Sequence, residues 1–252
     1  MVGMPFNAKP IAQLDDAGSA ADRAYKLVRK AILDLTFLPG STLSESALVE
    51  QIGASRTPIR QALQRLAQEG LLRIFPQRGT VVAPLDMAGF GEALFTRVAL
   101  ESAVAAEAAR KATAPQRKAL KDQVLAQRRA VAAGDDAAFF RLNEIFHRQI
   151  MAIAGVPNVW SVVESVKVHL DRFRAGHLTL TDPYPLRPVV EEHAALVDAL
   201  ARGDADRAGA LMGEHVSKVV PRAALLRERR PSLFEWPPGL VGPARLYAMP
   251  TQ

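Results

Sequence analysis

Residues 41–82 read STLSESALVEQIGASRTPIRQALQRLAQEGLLRIFPQRGTVV, and this stretch decides the fold of the amino-terminal third. A helix is predicted from about Ser44 to Ile52, stopped by Gly53, a residue that accepts the left-handed geometry of a helix C-terminus. A second helix begins at Ser55 or Thr57; Thr57 as N-cap with Pro58 in the first helical position satisfies both positional preferences. Ile59, Leu63 and Leu66 form its inner face, and Gly70 ends it. Leu71–Phe75 and Thr80–Ala83 then read as two short strands of a hairpin around Pro76, Gln77, Arg78 and Gly79. Helix, tight turn, helix and a two-stranded wing is the order of a winged helix-turn-helix.

Upstream, residues 1–18 read as a flexible arm. A helix from about Ala20 to Leu35 places Tyr25, Val28, Ile32 and Leu35 at helical spacing before Leu38-Pro39-Gly40 breaks it. After Pro84 the character is entirely helical, with helices expected at about 86–112, 115–133, 135–153, 156–175, 188–202 and 204–229. The fold class is therefore mainly α: a winged helix-turn-helix at 19–84 and an all-α bundle of six to seven helices at 86–229. The tail, 230–252, carries Pro231, Pro237, Pro238, Pro243 and Pro250 and cannot continue a helix. It reads as disordered, or as docked through Phe234, Trp236, Leu240 and Tyr247.

Composition narrows the function. No apolar run approaches the ~18 residues of a membrane span, no secretory signal is visible, and a cytoplasmic location with no membrane partner is expected. The absence of cysteine excludes disulfides, thiolate metal sites and cysteine nucleophiles. A net charge of +6 permits a polyanionic partner, and the position of the charges says more than their sum. Arg56, Arg60, Arg73 and Arg78 gather on the second helix and the wing. The N-terminus of that helix is what enters a major groove in a helix-turn-helix, and it is also the positive end of the helix dipole. Two arginines tolerated there point to an external acceptor, such as guanine O6/N7. Thr57 suits a phosphate or base edge, and Arg78-Gly79 at the wing tip suits close approach to DNA.

The pattern LPGSTLSESALVEQIGASRTPIRQALQRLAQEGLLRIFPQRGTVV closely resembles the winged helix of GntR-family bacterial transcription regulators, over about residues 20–84. The resemblance implies operator contacts by Arg56, Thr57, Arg60 and Gly79. Ser46 departs from it, standing where many members carry an arginine that grips phosphate.

Three of the five histidines lie on otherwise apolar helix faces: His147 with Phe139, Asn143, Phe146 and Ile150; His193 with Val189, Leu196, Val197 and Leu200; His215 with Ala208, Leu211, Met212 and Val219. Buried polar groups need partners, and Asn143 and His147, at i and i+4, lie close enough to chelate one ion. Such donors suit zinc or nickel, and an oxygen ligand adds manganese. The alternative is three ordinary core histidines, each bonded to a neighbour. His169 and His177 are given no role.

Residues 88–228 resemble the all-α effector domain (FCD type) of the FadR-like branch of that family. The resemblance implies a divalent metal on Asn143, His147, His193 and His215, with aspartate more usual at the first position. It also implies open coordination positions for water or a carboxylate effector, and a pocket arginine at Arg97. Arg97 otherwise forms an intrahelical pair with Glu101 at i, i+4. The expected function is a metabolite-responsive regulator, usually a repressor in this family, bound as a homodimer to double-stranded palindromic operator DNA and answering a small organic acid. No catalytic residue is assigned. Two alternatives stand beside it: a metal-dependent hydrolase in which Glu191 or Glu192, both off the histidine face, would be the general base, and a regulator with a metal-free pocket.

Overall fold

The computed structural model describes residues 18–76, 79–180 and 185–235, with 176–180 and 235 described by their backbone. The N-terminal arm before residue 18, Arg78 and the tail residues Trp236, Leu240 and Tyr247 lie outside the described residues, as does the side chain of His177. The described residues form two compact units: one of 18–88 with 171–180 and 223–235, the other of 89–170 and 185–222. The first unit thus draws on three stretches of the chain, not on a single cut near residue 84.

In the first unit, α1 (Ala20–Leu33) is capped by Ser19, whose hydroxyl accepts the N–H of Asp22 at 3.1 Å. It buries Ala24, Leu27, Val28, Ala31 and Ile32 and packs on α3. α2 (Glu45–Ile52) is capped by Ser44 and closed by Gly53 at φ +68°, the left-handed stop its sequence predicts. α3 (Arg56–Gln68) buries Ile59, Ala62, Leu63 and Leu66. Its N-cap is Ser55, so Thr57 and Pro58 lie inside the first turn and Thr57 is not the cap. Pro58 is tolerated because the first turn's N–H groups have no intrahelical acceptor to lose.

The wing has one strand more than the hairpin predicts. β1 (Thr42–Leu43), ahead of α2, pairs antiparallel with β3 (Gly79–Val82), which pairs in turn with β2 (Leu72–Phe75). Two residues between a proline-glycine turn and a helix carry no period of their own. Beyond the wing, β4 (Leu85–Asp86) pairs in parallel with β5 (Phe234–Glu235), in register Leu85↔Phe234. Phe234 also meets Phe173 edge-on at 5.5 Å, so the start of the tail is docked, not disordered.

The second unit is helical. It takes most of α4 (Met87–Lys111), then α5 (Ala114–Ala132) and α6 (Asp136–Ala154), the part of α7 (Val159–Leu180) up to Leu170, α8 (Arg187–Arg202) and α9 (Ala205–Ser217). The helix expected over 204–229 is two: a turn at Lys218 and Val219 separates α9 from α10 (Val220–Arg229), ahead of Pro221, which cannot serve as an interior donor. α7 runs to Leu180, five residues past its expected end. α5 packs on α6 and α8, and α8 on α9. Gly209 and Gly213 let α9 lie directly on α4: an added Cβ would meet Ser102 O at 3.2 Å and Ser102 Oγ at 2.9 Å. That close approach brings His215 beside the neighbour of Ser102, Glu101.

Candidate nucleic-acid interface and candidate metal centre

Three of the residues expected to read DNA lie together on the open end of α3. Arg56, Thr57 and Arg60 are all exposed, while Ile59 between them is fully buried and anchors the helix. Arg60 donates Nε to Glu45 Oε2 at 2.9 Å, linking α3 to the first residue of α2. Ser46 is exposed, and its hydroxyl is hydrogen-bonded to the capping Ser44 at 2.8 Å, so the departure from the family pattern leaves a short uncharged side chain there. Gly79 pairs with Phe75 at the wing tip with φ +92°, a backbone angle that side-chain-bearing residues rarely adopt. The far end of α3 is tied to α1: Tyr25 donates to Glu69 Oε1 at 2.5 Å, Arg29 to Glu69 Oε2 at 3.1 Å, and the Arg65 guanidinium lies 3.7 Å from the centre of the Tyr25 ring. The recognition helix is thus fixed at its base and open at its tip.

In the second unit, α6, α8 and α9 bring His147, His193 and His215 together, with one ring nitrogen from each within 4.8 Å of the others. His147 and His193 are buried. Phe146 stacks on His193 with centroids 4.4 Å apart and walls one side of the cluster. Each Nδ1 has its own acceptor: Glu101 Oε2 for His147 at 2.5 Å, Gln127 Oε1 for His193 at 2.6 Å, and Glu192 Oε2 for His215 at 2.8 Å. The Nε2 atoms face inward, those of His193 and His215 at 3.4 Å, and His147 Nε2 is buried with no hydrogen-bond partner among the described residues.

The charges around the cluster set its chemistry. Burial raises the Glu101 carboxyl, but Arg97 and His147 outweigh it and hold the group well below the usual carboxylate range. Burial, reinforced by the other two imidazoles, pushes His193 well below its ordinary value. Burial lowers His215 too, against the opposing pull of Glu192. Neutral imidazole is the form that ligates a metal. An orphaned buried nitrogen and two facing lone pairs are the environment a divalent cation would satisfy. The 3.4 Å between His193 and His215 matches two nitrogens on one tetrahedral ion, about 3.3 Å apart for bonds of about 2.0–2.1 Å. The histidines therefore fit a metal.

Comparison with known proteins decides the family. A model of the gntR family of bacterial regulatory proteins matches residues 20–82, and a model of the FCD domain matches residues 92–218. An uncharacterized HTH-type transcriptional regulator in an unstable DNA locus of Streptomyces ambofaciens is 36% identical over 214 residues, 83% of this chain and 87% of that protein. The chain belongs to the GntR family, with an FCD domain. The HTH-type transcriptional repressor RspR of Escherichia coli K12 is 29% identical over 222 residues, 88% of this chain and 96% of its own. The solved structure of E. coli McbR/YncC shares the fold at a TM-score of 0.68 and 22% identity, covering 84% of this chain and 98% of that one.

This GntR-family protein is accordingly a transcription regulator and not an enzyme, built from a DNA-binding domain of winged helix type and an FCD domain, a domain that binds small-molecule effectors. No helix among the described residues is long and apolar enough to cross a membrane. Asn143 is half-buried on α6, one turn before His147. Arg97 makes the intrahelical pair, donating Nε to Glu101 Oε1 at 2.5 Å, but the pair is interior: Glu101 is 1% exposed and Arg97 16%. Glu192 is off the histidine face of its own helix, yet it reaches His215 on the next, so its part is to hold a histidine and not to act as a general base. Gln127, fully buried on α5, was not singled out in the sequence. A glutamine on a basic, otherwise solvated helix carries no signal of its own, and only a search for polar residues on the buried face of α5 would have raised it.

Proposed function

We propose that this regulator is a metabolite-responsive repressor that binds a palindromic operator as a homodimer and carries a divalent metal in its FCD domain. The observation that carries the reading is the inward convergence of the His147, His193 and His215 Nε2 atoms, one of them buried without a partner. Three imidazoles favour zinc or nickel, and the carbonyl oxygen of Asn143 is the proposed fourth donor. When bound, the ion supplies a positive centre for a small carboxylate. Arg97 is the proposed second anchor for that carboxylate, which would compete with Glu101 for the guanidinium.

Arg56, Thr57, Arg60 and Gly79, with Arg78 at the wing tip, are the proposed DNA contacts. Two recognition helices about 34 Å apart would read the two half-sites in the major groove. The repressor direction is supported by relatives: RspR, and a probable D-xylose utilization operon transcriptional repressor of Paenarthrobacter nicotinovorans, 27% identical over 185 residues. The effector acts as a switch only through a difference in affinity between the DNA-competent conformation and another. Such a protein works where the chromosome is, in the cytoplasm.

The test is a gel-shift titration with duplex DNA selected by the purified protein from a randomised pool, together with metal analysis. Arg56→Ala and Arg60→Ala are each expected to abolish specific binding while leaving the fold intact, and one equivalent of metal per chain is expected in wild type. Unchanged affinity and preference in both variants would sink the DNA assignment. Wild-type protein that takes up no zinc, nickel or manganese would sink the metal-assisted pocket.

A further inference from the structure

The metal reading explains why three Nε2 atoms meet, but not why the imidazoles keep their lone pairs inward in a buried site. We propose that Glu101, Gln127 and Glu192 are positioning residues of the centre, each holding one histidine in the tautomer whose bare Nε2 faces the other two. The inference rests on the metal reading of that cluster.

The three acceptors come from three helices, α4, α5 and α8, and each is itself held. Glu101 accepts Arg97 on Oε1 and His147 on Oε2, both at 2.5 Å. Glu192 accepts Lys218 on Oε1 and His215 on Oε2, both at 2.8 Å. Gln127 gives its amide Nε2 to Leu142 O at 3.5 Å, which turns Oε1 to His193 at 2.6 Å. A carboxylate has no proton to give, and neither does an amide oxygen, so in all three pairs the imidazole Nδ1–H donates. A neutral imidazole has one N–H. With that proton spent on Nδ1, each Nε2 is left as an acceptor, and no protein donor reaches His147 Nε2 among the described residues. A ligating histidine whose second nitrogen is bonded to an oxygen acceptor is the arrangement that orients the ring and raises its basicity as a ligand.

The charges follow the same plan. Glu101 and Glu192 are countered by Arg97 and Lys218, and the amide of Gln127 adds none. The histidine donors are therefore neutral, and their carboxylates are already spoken for. Such a set is matched to a borderline ion of the zinc, nickel or cobalt kind, and not to calcium or magnesium, which need oxygen donors. Glu192 differs from the other two in place. It is 15% exposed and, with His215 and Lys218, borders a cavity of about 340 Å³ between α8 and α9.

The experiment uses the full chain and zinc alone. Affinity is measured by competition with a chromophoric chelator for wild type, Gln127→Leu, Glu192→Ala and Glu192→Gln, alongside histidine side-chain nitrogen NMR of the metal-free proteins. Zinc binding is expected to weaken about 10- to 100-fold in Gln127→Leu and Glu192→Ala, with stoichiometry unchanged. Glu192→Gln, whose amide oxygen still accepts from Nδ1, should recover most of the loss. The NMR should show Nδ1-protonated His193 and His215 in wild type, and a tautomer mixture for His215 in Glu192→Ala. If Gln127→Leu fails to fold, the half-exposed Glu192 pair of variants decides. Variants that bind zinc as tightly as a zinc-binding wild type, or equal losses in Glu192→Ala and Glu192→Gln, overturn this inference alone. A wild type that binds no zinc overturns it together with the metal reading.

Discussion

The Nε2 atoms of His193 and His215 stand 3.4 Å apart with their Nδ1 atoms already bonded outward to Gln127 and Glu192. Two lone pairs held face to face in a closed interior repel each other until a cation, or a proton, comes between them. The helical unit is thus assembled in a state that a ligand relieves, and the energetics of that relief can be measured.

Chelation is expected to lower the thermal unfolding midpoint of wild type. An ion bound only to the folded chain at a hundred times its Kd contributes about 2.7 kcal/mol, a shift on the order of 5–10 °C for a unit of this size. His193→Ala should melt at one temperature with and without chelator. A wild type insensitive to both chelator and added zinc contradicts this.

Acid should destabilise the metal-free protein, and the sign follows from the imidazoles. His193 and His215 have folded pKa values depressed below 6.5, so the unfolded chain binds protons that the folded one refuses. Stability is flat above that value and falls as pH drops below it, by up to about 1.4 kcal/mol per pH unit for each group. Glu101 and Glu192, depressed below 4.5, add loss of the same sign at lower pH. Urea unfolding of chelator-treated protein at about pH 7.5, 6.5 and 5.5 reads the slope; stability that rises toward acid refutes the assignment.

Glu45→Gln separates stability from recognition. The Arg60–Glu45 pair is exposed, at 62% and 37%, so its loss should change unfolding free energy by no more than about 0.5 kcal/mol. DNA binding should change more. Removing a negative charge beside the reading helix should raise affinity for random duplex, while Arg60, no longer held at Nε, should discriminate less between selected and random sequence. Fluorescence anisotropy on both duplexes, at two salt concentrations, tests this. An unchanged ratio of the two affinities would show that Glu45 does not orient Arg60.

Arg172→Met should be costly although it lies far along the chain from the wing. Arg172 is 2% exposed, and its guanidinium donates to the carbonyls of Ala83 and of Pro84. Burial pushes its pKa down to about 10, so it stays charged at neutral pH. Methionine keeps the packing and abandons both carbonyls, at about 1–3 kcal/mol for each one left buried and unpaired. A urea midpoint equal to wild type would show that water replaces the guanidinium.

The winged helix was legible because its signals are local. Gly53, the buried run Ile59, Leu63 and Leu66, and Gly79 each act within a few residues of themselves, through backbone angle or helical period. The inward faces of His147, His193 and His215 were legible for the same reason, since each shares a helix stripe with apolar neighbours. The cap of α3 was not: Ser55 and Thr57 satisfy the same preference two residues apart, and the surrounding fold chose Ser55. Nor were β1 and β5, whose two-residue strands exist only because a partner strand lies beside them.

The sequence by itself determined which helices exist, which faces they bury, which family they belong to and which histidines point inward. Only the tertiary structure decided that Glu101, Gln127 and Glu192 each take one imidazole proton, and that Arg97 serves one of them. Those bonds join residues 46, 66 and 23 positions apart, across helices whose packing is set by shape, and no period or spacing along one chain encodes such a meeting.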